Sequence, residues 1–177
     1  WDGAPSVVCG TDPQTGMFFV GTKSVFNKSD PKLCYSEDQI DGWYEGDLAE
    51  KLKFSLRHFS TLDIQGVVQG DLLFTKSTLK TETIHGERLY TFRPNTITYA
   101  IPMHHPIGQA ASRAKIGVVF HTHYSGDDLQ SMQALAGAKV KGSTETLVVN
   151  NDTPMHKVGL NHAEEMKFDT YVKDIEK

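Results

Sequence analysis

The chain has 177 residues, 38% hydrophobic and 23% charged, with a formal net charge of -4. This balance excludes an intrinsically disordered protein and a strongly basic nucleic-acid coat, and no run approaches the ~18 apolar residues of a membrane-spanning helix. Two cysteines, Cys9 and Cys34, are too few for a disulfide scaffold and suit a reducing compartment, although a single bridge between them stays open.

In chain order, Ser6–Cys9 reads as a strand, residues 10–16 as a turn and Met17–Gly21 as a returning strand, so residues 4–24 form a hairpin. Residues 25–46 are polar and irregular, with turn signals at Asp30-Pro31 and Asp41-Gly42. Asp47 as N-cap and Glu50 three residues on predict a helix over 47–59, with Leu48, Leu52, Leu56 and Phe59 on one face. Strands follow at 64–68 and 72–74, separated by Gly70-Asp71, then at 88–93 and 96–101 around Pro94-Asn95. Ile116–Phe120 is the most apolar run and predicts a central strand. Asp127 or Asp128 caps an expected helix through Ala136, residues 144–149 read as strand, and 161–175 as an amphipathic helix. This order predicts a single α+β domain, with a mixed or antiparallel sheet and a few inserted helices.

Lysine clusters at Lys51/Lys53, with Arg57, and at Lys76/Lys80 read as solvated faces. Lys139-Val140-Lys141 differs, because alternate residues of an extended chain point the same way and two ammonium groups together neutralise phosphates. The chain opens Trp1-Asp2-Gly3, and Asp-Gly alone is a turn dipeptide. Trp1 and Trp43, read by themselves, are packing residues.

Preceded by a lysine, the opening Trp1-Asp2-Gly3-Ala4-Pro5 resembles the first motif, Lys-x-Asp-Gly, of the superfamily of ATP-dependent DNA ligases, RNA ligases and capping enzymes. Further echoes follow in the family's order. Gly21-Thr22-Lys23-Ser24 stands where a basic residue ends the second strand. Gly70-Asp71-Leu72-Leu73-Phe74 matches a strand that carries Gly-Glu, and Thr96–Ile101 a strand whose aromatic stacks on the purine. Ile116–His121 matches the fourth motif, and Lys139-Val140-Lys141 the fifth. The chain departs from the pattern at Pro5, where arginine is usual, and at Ile116, where glutamate is usual. A narrower likeness is to a ligase-like protein of large tailed phages.

The resemblance implies one nucleotidyltransferase domain over 1–177, cut just after the nucleophilic lysine. It implies ATP and Mg²⁺ as cofactors and a nucleotide, with RNA or DNA ends, as partners. The setting would be the cytoplasm of a phage-infected host or the virion, with no membrane. By resemblance Asp2 and Asp71 are catalytic, Asp71 beside Mg²⁺. Trp1, Gly3, Lys23, Tyr99, His121, Lys139 and Lys141 bind the nucleotide, with Tyr99 against the base and the lysines on phosphates. A non-catalytic virion or assembly protein on the same fold is an alternative.

A competing constellation is His121-Thr122-His123 followed by Ser125-Gly126-Asp127-Asp128. On a regular strand both imidazoles share a face and could bind Zn²⁺, with Asp128 as third ligand and water as fourth, a hydrolytic zinc site. The pattern resembles the JAMM metalloproteases, although the Ser-x-x-Asp follows without their spacer.

Overall fold

The computed structural model describes residues 1–149 and the backbone of the strand His156–Val158. The helix expected over 161–175 lies outside these residues. In chain order the strands are β1 (Ser6–Thr11), β2 (Phe18–Gly21), β3 (Val67–Thr75), β4 (Lys80–Ile84), β5 (Glu87–Phe92), β6 (Thr98–Pro102), β7 (Ile116–Ser125), β8 (Gln133–Ala136), β9 (Thr146–Val149) and β10 (His156–Val158). The helices are α1 (Glu37–Trp43), α2 (Gly46–Phe59) and α3 (Pro106–Arg113).

The larger sheet runs β2-β1-β3-β7-β8, and β9 also pairs with β7. Its neighbours are antiparallel except β9, which lies parallel to the first half of β7 on the edge that β8 occupies further along. The smaller sheet, β10-β6-β5-β4, is antiparallel throughout. The chain is therefore α+β with a mixed sheet, the expected class.

Side-chain alternation assigns each face of the larger sheet. Val7, Cys9, Val68, Leu72, Val118 and Phe120 point toward α1 and α2, where Ile40, Ala49, Leu52 and Phe59 complete one core. The opposite face is divided. At one end Val8, Phe19 and Val67 pack with Val25, Leu33 and Leu129. At the other, Leu73, Phe74 and Val119 meet Phe92, Tyr99 and Ile101 of the smaller sheet and Ala111 of α3. Residues that face this side between the two apolar clusters are polar, and the candidate site lies there.

Several local expectations are corrected. The expected strands 64–68 and 72–74 are one strand, β3. Gly70 lies within it because a Cβ there would come 2.6 Å from the Val119 carbonyl oxygen and 2.7 Å from the Phe120 ring. Asp47 is not the N-cap of α2: Glu45 is, with no side-chain cap bond, and Asp47 pairs with Lys51 at 2.7 Å instead. The helix expected through Ala136 is absent. Asp128 caps a 3-10 turn, Leu129–Ser131, accepting from the Ser131 amide at 2.9 Å, and β8 follows because it pairs with the end of β7. The polar stretch 25–46 holds α1, and the 104–113 region holds α3, with His105 as N-cap accepting from the Ile107 amide.

Candidate functional site at the junction of the two sheets

Residues 1–5 span the two sheets. On the larger one, the Ala4 amide donates to the Leu72 carbonyl at 3.0 Å, and the Leu72 amide donates to Pro5 at 3.0 Å. These bonds seat Gly3 directly on Asp71, where a Cβ on Gly3 would fall 2.6 Å from the Asp71 Cβ and 2.9 Å from the Leu72 carbonyl oxygen. Only glycine approaches this closely without moving one strand. On the smaller sheet, the Asp2 carboxylate accepts from Thr96 Oγ1 at 2.5 Å, the Thr96 amide at 3.3 Å and Asn95 Nδ2 at 3.0 Å. The Thr96 hydroxyl, then Asn95, hold its pKa below the ordinary carboxylate value. Asp2 thus ties the N-terminal segment to the turn before β6, 93 and 94 positions further along the chain.

Trp1 and Tyr99 lie with ring centroids 5.0 Å apart, and Tyr99 and Phe92 stack at 5.5 Å. Tyr99 is 2% exposed, and its hydroxyl accepts from the Asp2 amide at 2.5 Å. Burial raises its pKa. In this arrangement Tyr99 is a buried aromatic beside Trp1, its ring tilted 36° from the indole.

The central pair is Asp71 and His121, with Oδ1 to Nε2 at 3.4 Å and both side chains partly exposed. A break in register brings them together. Gly70 pairs with Phe120 and Gln69 with Thr122, so His121 is the extra residue of a β-bulge. A bulge re-aims the side chain that it carries. Here it leaves His121 beside Thr122 (Nδ1 to Oγ1 2.8 Å) and Asp71. The polar row continues along the sheet, as Gln69 donates to Ser6 Oγ at 2.6 Å and accepts from the Tyr124 hydroxyl at 2.5 Å.

The same bulge separates the two imidazoles. Thr122 pairs with Gln69 and therefore shares the Asp71 side, whereas His123 pairs with Val68, which faces the helices. His121 and His123 thus point to opposite faces. His123 Nδ1 lies 3.0 Å from the Gly137 carbonyl, and Asp128 is engaged in its cap. The described residues contain no group of three or more His, Cys, Asp or Glu side chains placed to hold a metal.

The expected phosphate-binding lysines stand apart from this pair. Lys23 is exposed at the start of a 3-10 turn, Lys23–Phe26. Lys139 and Lys141 are exposed on the loop between β8 and β9, with Val140 between them packed against the helical-side core. The two lysines therefore share an outward side, and the loop starts beside the bulge, where the Gly137 amide donates to the His121 carbonyl at 2.8 Å. No ion pair joins these lysines to Asp71 among the described residues. The sequence reading missed Gln69, Ser6 and Tyr124, whose polar row depends on pairing 55 or more residues apart, and Asn95 and Thr96, which hold Asp2.

One carboxylate on a polar, partly open surface suits Mg²⁺, which keeps most of its waters and takes one or two protein carboxylates with substrate phosphates. Asp71 fits that description, and Asp2, committed to Thr96 and Asn95, does not.

No curated protein and no solved structure matches the chain. A family model does, over residues 1–177, and the chain belongs to that family, described as a family of unknown function (DUF6267).

Proposed function

We propose that this domain is a nucleotidyltransferase of the ligase type that binds a nucleotide at the polar opening around Asp71 and His121. The observation that carries the reading is the seat of Gly3 on Asp71. It joins the Asp-Gly of the first motif to the Gly-Asp strand of the third, 68 positions further along the chain. A residue directly ahead of Trp1 is three Cα steps from Gly3, at most about 11 Å. A lysine at that place would act in the opening by directing its side chain back toward Asp71.

The amine of that lysine attacks the α-phosphorus of ATP. A P–N bond forms, the bond to the β-phosphate oxygen breaks, pyrophosphate leaves and the amine proton passes to solvent. Asp71 would hold Mg²⁺, which neutralises charge on the phosphates. His121 faces the same phosphates, and its contact with Asp71 orients the ring. Nucleotide transfer to an acceptor, such as a nucleic-acid 5′-phosphate, completes the cycle. Lys139 and Lys141, on a loop anchored beside the bulge, are suited to the acceptor's phosphates.

The test is self-labelling of the protein carrying a lysine directly ahead of Trp1, with α-labelled ATP and Mg²⁺. Label that survives denaturation and alkali, is released by hot acid and is lost on mutation of that lysine supports the reading. Asp71→Asn should lower the labelling rate on the order of a hundredfold. A folded protein that takes no label from either ATP or GTP would indicate a non-catalytic member of the fold.

A further inference from the structure

The smaller sheet has a second polar surface, on the face turned away from Tyr99. Phe92 and Tyr99 point into the apolar cluster shared with the larger sheet. Their neighbours Thr91, Arg93 and Thr98 therefore point the other way. Lys80 is the direct cross-strand partner of Thr91. Phe92 pairs with Tyr99, so the register sets Arg93 against Thr98. These four residues form a compact patch, with neighbours about 5 Å apart and diagonals about 7–8 Å.

The patch lines a cavity of about 390 Å³, completed by Ser77 and Thr78 of the β3–β4 turn, by Glu82 and by Phe92. Two cations and one carboxylate leave its lining with one net positive charge. Neither Lys80 nor Arg93 makes an ion pair among the described residues, and Arg93 uses only Nε, donating to the Asn95 carbonyl at 3.3 Å. That leaves the outer guanidinium N–H groups for a ligand. Thr91 is 3% exposed and lines the cavity.

From these residues we infer that this cavity is a binding site for a small phosphate monoester, with the phosphate held between Lys80 and Arg93 and hydrogen-bonded by Thr91. A planar guanidinium and an ammonium on either side of a small anion are the strong form of oxyanion recognition. The volume lies in the range of small-molecule sites and exceeds what phosphate alone fills. Glu82, two residues from Lys80 on the same face, sets the upper limit on negative charge that the site accepts.

The experiment is an NMR titration of the full chain with inorganic phosphate, with ribose 5-phosphate and, at equal ionic strength, with chloride. Saturable shifts at Thr91, Arg93 and Thr98 with both phosphates and none with chloride are expected, with the monoester tighter. Lys80→Gln and Arg93→Gln should each weaken binding about tenfold, Thr91→Val about threefold, and Glu82→Gln should strengthen it. Lys80 and Arg93 are exposed, so these two variants should keep the wild-type melting temperature. Absence of saturable shifts up to about 10 mM, or equal binding by the Lys80→Gln/Arg93→Gln pair, overturns the inference. Tighter binding of inorganic phosphate than of the monoester overturns the ligand class. Self-labelling at the lysine ahead of Trp1 uses the other face and is unaffected by either result.

Discussion

The N-terminal segment meets the two sheets through different chemistry. On the larger sheet, residues Gly3 to Pro5 are held by shape: a close approach that only glycine allows, and two backbone hydrogen bonds with Leu72, one from Ala4 and one to Pro5. On the smaller sheet, Asp2 is held by charge, through three hydrogen bonds from Thr96 and Asn95 at a partly exposed surface. The first attachment depends on the packing of β3 and β7 beneath it and should be indifferent to pH. The second depends on an ionised carboxylate. The two attachments can therefore be broken separately.

The largest effect should come from the support of the first attachment. Phe120 is 2% exposed and packs edge-on against Phe59 at 5.4 Å, on the opposite side of β7 from the Asp71–His121 pair. Phe120→Ala should cost about 3–5 kcal/mol in denaturant unfolding. A loss below about 1 kcal/mol would mean that the larger sheet tolerates a cavity beside the bulge, contrary to its dense packing. Gly3→Ala comes next. Its Cβ must displace either Asp71 or the N-terminal segment, at about 1–3 kcal/mol of overpacking. The same variant should speed proteolysis within residues 1–5, and protection equal to wild type would show that shape does not hold the segment. His58 lies lower on the scale. Burial depresses its pKa against the pull of Glu145, 3.6 Å away, so the neutral imidazole is favoured in the fold. Its contribution is present above the unfolded value near pH 6.5 and is lost as pH falls below it. His58→Gln should therefore flatten stability between about pH 7 and 5 relative to wild type, as read from thermal melts.

The same contrast explains what the sequence made legible. Where burial is apolar on both faces, as in Val7–Cys9 and Ile116–Phe120, hydrophobic runs indicated strands at the right places. Where a strand is exposed, as in Lys80-Thr81-Glu82-Thr83-Ile84, no alternation marks it, and only its pairing with β5 defines it. Ser36 with Gln39 three residues on was a readable start signal for α1, since the Ser36 hydroxyl accepts from the Gln39 amide and Gln39 Oε1 accepts from the amide of Tyr35, one residue before the cap. The Asp41-Gly42 turn signal within α1 masked it. At the candidate site, the strand that carries His121 followed from the apolar run Ile116–Phe120. The bulge at His121 did not, because a register shift arises from the crowding of two strands and leaves no mark in the period of either. One shifted residue separated His121 from His123 and set it beside Asp71.

The smallest effect is the most specific to the second attachment. Asp2 has its pKa lowered chiefly by the Thr96 hydroxyl, then by Asn95. A carboxylate favoured as the anion in the fold contributes stability that is full above its unfolded value, about pH 4, and is lost as pH falls through the lower folded value. In Asp2→Asn one acceptor remains for Thr96, and the new amide opposes the donor of Asn95 at every pH. The variant should therefore melt below wild type by a constant margin above about pH 5. That margin should shrink as acid protonates the wild-type carboxyl. Other acidic groups titrate in both proteins and cancel in the difference between the two melting curves. A margin that stays constant to the lowest pH at which both proteins fold would mean that charge does not hold Asp2. The segment's hold on the smaller sheet would then rest on Trp1 against Tyr99 and on the Asp2 amide that donates to the Tyr99 hydroxyl.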